Sequence, residues 1–396
     1  MKDKFSFFIL ILIGLSVIAS EVLAIPAFAR KYNMTCKTCH SPFPYLKAYG
    51  DEFAGNGFIL KDQDAPRYFV ETGDPDLSLI RDFPIAVRIE GFVTYNHSKS
   101  EQFDFTGPAS LKLLSGGAIS QNVSYYVYYI LEKGEVGKIE DAFLFFNNLF
   151  GSELDFSIGQ FQVSDPLFKR ELRLTSEDYL IYKYKPGHSN IDLTYDRGII
   201  LSYAFSSGTD LIAEVVNGTG IGEKFLNDSF DKDEYKNFAG RLSQSVGEYL
   251  RLGAFGYYGK EKTESNEIIS PGENEVWITG ADATITAEPF ELNVQYLHRN
   301  DSNPFFGDSR IITDEDEISA NGGFAELVFR PAGDDSKWYA VALFNIIDSR
   351  LDEYDYRSGT LHFGYLLQRN IRLAGEINYN FDLEYAGVGI GFVTAF

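Results

Sequence analysis

The sequence predicts an all-β chain: a sixteen-stranded antiparallel transmembrane barrel behind a small N-terminal plug. Three observations predict it. Apolar and polar side chains alternate at period two from Pro84 to the end, the connections between these runs alternate short with long, and no apolar run of helix length follows residue 24.

The chain opens with Lys2 and Lys4, an apolar run from Phe5 to Ala19, and then Val22-Leu23-Ala24. That order reads as a secretory signal peptide over residues 1–24, cleaved after Ala24, with Ala27-Phe28-Ala29 as a second cleavage site. The run is shorter than the roughly 20 residues a spanning helix requires.

Residues 25–83 hold both cysteines of the chain, Cys36 and Cys39, and His40 follows directly. In an exported protein two cysteines suggest a disulfide. A thioredoxin-type site needs a βαβ context that these flanks lack, and zinc needs two further ligands, whereas the next histidine is His97. Covalent attachment of one haem c uses all three residues: Cys36 and Cys39 as thioethers to the vinyl groups, His40 as axial ligand to the iron. A helix over Phe43–Ala54 would set Leu46, Tyr49 and Phe53 on one side, a face suited to cover a porphyrin or simply to pack on protein. Met34 reads as filler beside the ring. Among the other histidines, His188 sits in a Pro-Gly turn, and His97 and His298 fall near strand ends. His362 alternates with Leu361, Phe363 and Tyr365, which points it into the lumen at mid-barrel, either as a distal haem ligand or as a pore-lining donor.

From residue 84 to 396 the strands read as 84–96, 108–119, 123–131, 139–148, 153–163, 197–205, 208–217, 236–245, 248–260, 275–287, 289–299, 319–331, 336–348, 358–369, 371–381 and 384–396. Ile371, Leu373, Ile377, Tyr379 and Phe381 alternate with Arg372, Glu376, Asn378 and Asn380, and Phe290, Leu292, Val294 and Tyr296 alternate with Glu291, Asn293 and Gln295. A soluble sandwich shows the same alternation. Short turns such as 120–122 and 206–207 on one side, long polar loops such as 218–235, 261–274 and 300–318 on the other, and a terminal Phe396 favour an outer-membrane barrel instead. Loop 164–196 is anomalous in length. It either folds into the pore or carries one more hairpin, which would make eighteen strands.

The run Ile25-Pro26-Ala27-Phe28-Ala29-Arg30-Lys31-Tyr32, Cys36-Lys37-Thr38-Cys39-His40, Phe43-Pro44-Tyr45-Leu46, and Tyr49-Gly50 through Phe53, Asn56, Gly57 and Phe58 resembles the haem segment of outer-membrane monohaem c-type cytochrome–porin fusions. The close match covers about 35 residues, Ile25 to Phe58. The resemblance implies a haem-bearing plug within or beneath the barrel and a redox role, with extracellular Fe²⁺ as donor in the best-known members. One haem does not bridge a hydrocarbon layer of about 30 Å, so a soluble periplasmic cytochrome is the expected partner. Two other functions remain open at this level: a passive porin whose haem stiffens or gates the plug, and export of electrons to extracellular acceptors.

The formal net charge of −22 argues against nucleic acid and against an anion-selective pore. Acid concentrates in loops 219–235 and 300–318, where Asp314, Glu315, Asp316 and Glu317 form a run suited to attract a hard cation such as Fe²⁺. A solvated acidic surface explains the same run.

Overall fold

A computed structural model of the chain describes residues 27–396 apart from 33, 41–44, 61–68, 71, 82, 98–102, 133–136, 169–177, 223–229, 232, 264–271 and 309–316. The signal-peptide expectation for 1–24 therefore lies outside the described residues.

Three short helices come first, α1 (Ala27–Tyr32), α2 (Cys36–Cys39) and α3 (Ala48–Gly55), then a two-residue hairpin of β1 (Phe69–Val70) and β2 (Leu79–Ile80). The barrel follows as β3 (Ile85–Asn96), β4 (Phe103–Ala118), β5 (Val123–Glu132), β6 (Lys138–Phe146), β7 (Leu154–Gln162), β8 (Tyr195–Ala204), β9 (Thr209–Val216) and β10 (Asn237–Val246). It continues through β11 (Leu250–Thr263), β12 (Gly272–Ala287), β13 (Phe290–Asp301), β14 (Ile318–Phe329), β15 (Trp338–Ser349), β16 (Tyr356–Gln368), β17 (Ile371–Asn380) and β18 (Tyr385–Ala395). Each strand pairs antiparallel with its neighbour, and β18 pairs with β3, so sixteen strands close without an edge. The terminal residue completes the seam, because Phe396 and Val87 exchange backbone hydrogen bonds of 2.8 and 2.7 Å.

The faces are inverted relative to a soluble sandwich. On β17, Leu373, Ile377 and Tyr379 are exposed while Arg372, Glu376, Asn378 and Asn380 are buried. Lipid is the solvent for the apolar face, and the polar face lines the inside. Outward aromatic rings run along the short-turn end: Phe290, Phe329, Trp338 and Phe363 stand 5.0, 5.6 and 5.6 Å apart in sequence of contact, as an interfacial girdle requires.

Most boundaries fall within three residues of those read from the alternation. Strand β4 starts earlier, at Phe103 rather than 108, because its pairing with β3 shifts register between Glu90 and Phe92. Pro108 sits in that irregularity, where a residue without an N–H withdraws no ladder hydrogen bond.

The long connection between β7 and β8 adds no strand to the wall, since β7 pairs directly with β8, and the count is sixteen rather than eighteen. Its described part folds inward. Tyr179 stacks on Phe324 at 3.8 Å between ring centroids, and Ile181, Tyr182, Tyr184, Ile191 and Leu193 join inward residues of β9 to β15 in the largest buried apolar cluster among the described residues. Buried polar groups fasten it. Tyr179 Oη donates to Glu326 at 2.8 Å, and Arg299 Nη1 donates to the carbonyls of Tyr184 and Ile191 at 2.8 and 2.7 Å.

Candidate functional site

The plug sits inside the short-turn end of the barrel. Phe28 stacks on Phe58 at 4.7 Å, Phe53 meets both rings edge-on, and Phe58 stacks in turn on Tyr126 of β5 at 5.1 Å. Tyr32 Oη closes the small core by donating to the Phe58 carbonyl at 2.5 Å. Gly57 has φ +61°, and a Cβ there would run into Ser124 and Phe145 of the wall, so both backbone freedom and close approach demand glycine. Further ties reach round the barrel: Asn147 Nδ2 donates to the Asn56 carbonyl at 2.6 Å, and Tyr45 donates to Glu291 while its ring lies 4.8 Å from the Arg330 guanidinium.

Between plug and wall lies a cavity of about 270 Å³. From the plug, Cys36, Cys39 and His40 line it together with Met34, Phe28 and Phe53. From the barrel, Arg88, Lys112, Leu114, Tyr126 and Tyr128 close it. Local structure explains the convergence: α2 is a single turn that presents both thiols, and the His40 amide donates to the Cys36 carbonyl at 2.9 Å. Helix α3 then packs so tightly that a Cβ on Gly50 would strike the Cys39 carbonyl. Burial raises the pKa of both thiols, opposed at Cys36 by a backbone hydrogen bond and at Cys39 by the Lys47 charge. They are not bonded to each other. Among the described residues no three His, Cys, Asp or Glu are grouped to hold a bare metal ion. Two thiols and an imidazole on one largely apolar wall fit a covalently held haem.

No family model matches the chain, and no curated protein matches it in sequence. Solved structures match its fold. OmpT of Vibrio cholerae in its trimer form aligns with TM-score 0.55 at 12% identity over 80% of this chain and 99% of its own. The anion-selective porin of Comamonas acidovorans aligns with TM-score 0.57 at 10% identity over 80% and 99%, and the outer-membrane channel DcaP of Acinetobacter baumannii with 0.56 at 12% over 80% and 97%. The fold is that of a porin-like outer-membrane barrel.

Within that porin-like barrel the remaining expected residues divide. His362 points inward as expected, but it is not among the residues lining the cavity. Its Nδ1 lies 2.9 Å from Glu376 Oε2 and its Nε2 3.3 Å from Tyr339 Oη, so the wall uses both nitrogens. A polar row inside a barrel satisfies itself across strands. Met34, read as filler, lies on the cavity wall with His40. Helix α3 begins at Ala48, later than 43, and turns Gly50, Phe53 and Ala54 to the cavity while Tyr49 is exposed, so Tyr49 does not cover it. His188 pairs with Asp308 at 2.9 Å. Asp314, Glu315 and Asp316 lie outside the described residues; Glu317 is exposed and accepts from Asn300 Nδ2 at 2.6 Å. Ala27, Phe28 and Ala29, quoted above only as a cleavage site and as part of the haem-segment resemblance, belong to α1 and form part of the cavity wall. The signal was their lodging in the same short run as the cysteines.

At the short-turn rim Lys37 pairs with Asp335, and Lys47 Nζ lies 3.8 Å from Asp334. The Lys37 hydrogen bond, then its charge, holds the Asp335 carboxyl below its ordinary value of 3.8. A lowered carboxyl pKa adds stability that is present above the unfolded value and lost as pH falls below it. Proteolysis of the plug in detergent is therefore expected to be flat between about pH 5 and 8 and to quicken below about pH 4. Lys37→Gln should remove that step. The pair is exposed, so the effect is small and shrinks with salt; a step equally large in the variant would discount the tether.

Proposed function

We propose that the chain is an outer-membrane cytochrome–porin of the monohaem kind, passing electrons across the outer membrane from extracellular Fe²⁺ to a soluble periplasmic cytochrome. The observation that carries the reading is the meeting of Cys36, Cys39 and His40 on one largely apolar cavity at the short-turn end of the barrel. A haem c held there supplies a one-electron iron couple. The chain does the rest: Cys36 and Cys39 tether, His40 ligates, and Phe28, Phe53 and Tyr126 keep water away. The cavity's place near the periplasmic rim suits hand-over to a soluble partner.

The passive-porin reading draws on the fold shared with porins. Against it stands the inward loop, whose buried cluster fills the lumen on the side of β9 to β15. Electron export uses the same cavity with the flow reversed.

Stopped-flow reduction of the loaded protein by Fe²⁺ tests the donor. Reduction is expected, and neutralising Asp314, Glu315, Asp316 and Glu317 together should slow it at low ionic strength, with the difference fading as salt screens exposed charges over about 10 Å at 0.1 M. Equal rates at low salt would remove the role of that run. No reduction of the wild type by Fe²⁺ would remove the substrate, and a steady open-pore current independent of haem redox state would favour the passive porin.

A further inference from the structure

Glu214 on β9 is only 2% exposed, and among the described residues neither of its carboxylate oxygens has a hydrogen-bond partner. It alternates with the exposed Leu211 and Ala213, and its ladder neighbours, Ile200 of β8 and Ala239 of β10, have side chains that offer no donor. Among the described residues the charge that acts on it is another carboxylate, Asp165. A buried carboxylate without a counter-charge is costly, and a second carboxylate nearby adds to the cost. A proton does not remove the want of partners, because a carboxylic acid gains an O–H that itself needs an acceptor. A cation between the two groups answers both. Asp165 stands where the connection after β7 turns away from the wall: its amide donates to the Gln162 carbonyl at 3.0 Å, and the Leu167 amide donates to that of Ser164 at 2.9 Å. Its half-burial leaves it open to a solvated ion. The charges of Asp141, Asp165 and Glu140 also act on Tyr126, a ring of the plug-cavity wall, so these carboxylates border that cavity. Glu140 has partners of its own, since it accepts from Tyr195 Oη at 3.3 Å and feels the charges of Lys112 and Lys138.

We propose that Asp165 and Glu214 hold a partly hydrated divalent cation inside the barrel, beside the cavity that carries Cys36, Cys39 and His40. Two carboxylates suit a hard cation that keeps most of its water, and they do not suit a soft one. As a station for Fe²⁺ the site rests on the electron-transfer reading above: one electron leaves the held Fe²⁺, which becomes Fe³⁺, and reduces a ferric haem iron to ferrous. The outer acidic run gathers the cation, and the inner pair holds it for the transfer.

The test is Mn²⁺ binding to the purified full chain in detergent at neutral pH, read from loss of the free-ion electron paramagnetic resonance signal. The wild type should bind one Mn²⁺ more tightly than its remaining acidic surface does. Glu214→Gln and Asp165→Asn should each weaken that one site by at least about tenfold, since even partners one shell out from a metal cost that much. Mn²⁺ should raise the thermal midpoint of the wild type and leave that of Glu214→Gln unchanged. In the haem-loaded chain, reduction by Fe²⁺ should saturate, with half-saturation moving up by a similar factor in Glu214→Gln. Equal Mn²⁺ affinity and stoichiometry in the wild type and both variants overturns the site. If Glu214→Gln does not accumulate, Asp165→Asn, which lies outside the strands, decides alone. Failure of Fe²⁺ to reduce the wild-type haem overturns the electron-transfer reading, and the Mn²⁺ result still decides the site. An unchanged Fe²⁺ half-saturation in a variant that has lost the Mn²⁺ overturns its part as a station for iron.

Discussion

Replacing Cys36 and Cys39 together with alanine is expected to abolish covalent haem entirely and to leave the barrel folded. The two halves of this outcome have separate causes. Thioether attachment needs the sulfur atoms, and these are the only two in cysteine form in the chain. The barrel does not need them, because its sixteen strands close through their own ladders and the seam at Phe396 and Val87 lies outside α2. Each substitution removes one partly buried sulfur, a change on the order of 1 kcal/mol set against a whole barrel. A haem-stained denaturing gel reads the first half, and the mobility difference between unheated and boiled samples reads the second. His40→Ala should keep the stain while altering the visible spectrum, since it removes a ligand to iron and neither thioether. A stain that survives the double change would sink the attachment assignment. Loss of the folded band would show that plug and barrel fold as one unit.

Arg299→Ala is expected to open the lumen, raising single-channel conductance in planar bilayers several-fold over a low wild-type value. Arg299 is buried and holds Asp301 through Nε at 2.6 Å and Nη2 at 2.8 Å, while Nη1 takes the carbonyls of Tyr184 and Ile191. Its removal leaves Asp301 buried without its cation and frees two loop carbonyls. Breaking one partner of a buried ion pair costs about 3–5 kcal/mol. That is comparable with the opening energy of a local segment, so the loop should release before the wall does. Arg299→Lys should open it less, because an ammonium does not reproduce the fork that grips Asp301 and both carbonyls. Should Arg299→Ala fail to accumulate, Tyr179→Ala with Tyr182→Ala loosens the same cluster from the loop side without touching a strand. Conductance unchanged in both would mean that the inward loop does not control passage.

The alternation along Ile371 to Phe381 was legible because the pleat of a strand repeats every two residues and needs no knowledge of neighbours. The same local logic placed His362 inward. It said nothing of Glu376 and Tyr339, which lie on other strands and claim the imidazole. Leu46 and Phe53 meet the cavity as expected, but the start of α3 and the place of Tyr49 were misread for a similar reason: Gly50 packs on the Cys39 carbonyl, and that contact turns Tyr49 away.

By itself, the sequence determined the barrel and its strand number to within one hairpin, and it singled out Cys36, Cys39 and His40 as the candidate centre. These are properties of spacing: period two for a strand whose faces meet lipid and lumen, and two intervening residues for a single turn bearing two thiols. Only the tertiary structure decided that the described part of loop 164–196, from 178 onward, turns inward and that Arg88 and Lys112 line the same cavity as the triplet. Inward folding depends on Phe324, Leu297 and Val276, more than seventy residues away along the chain. The cavity depends on barrel closure, which brings Ala395 beside Arg88 and sets both against a plug that lies at the opposite end of the sequence from Ala395.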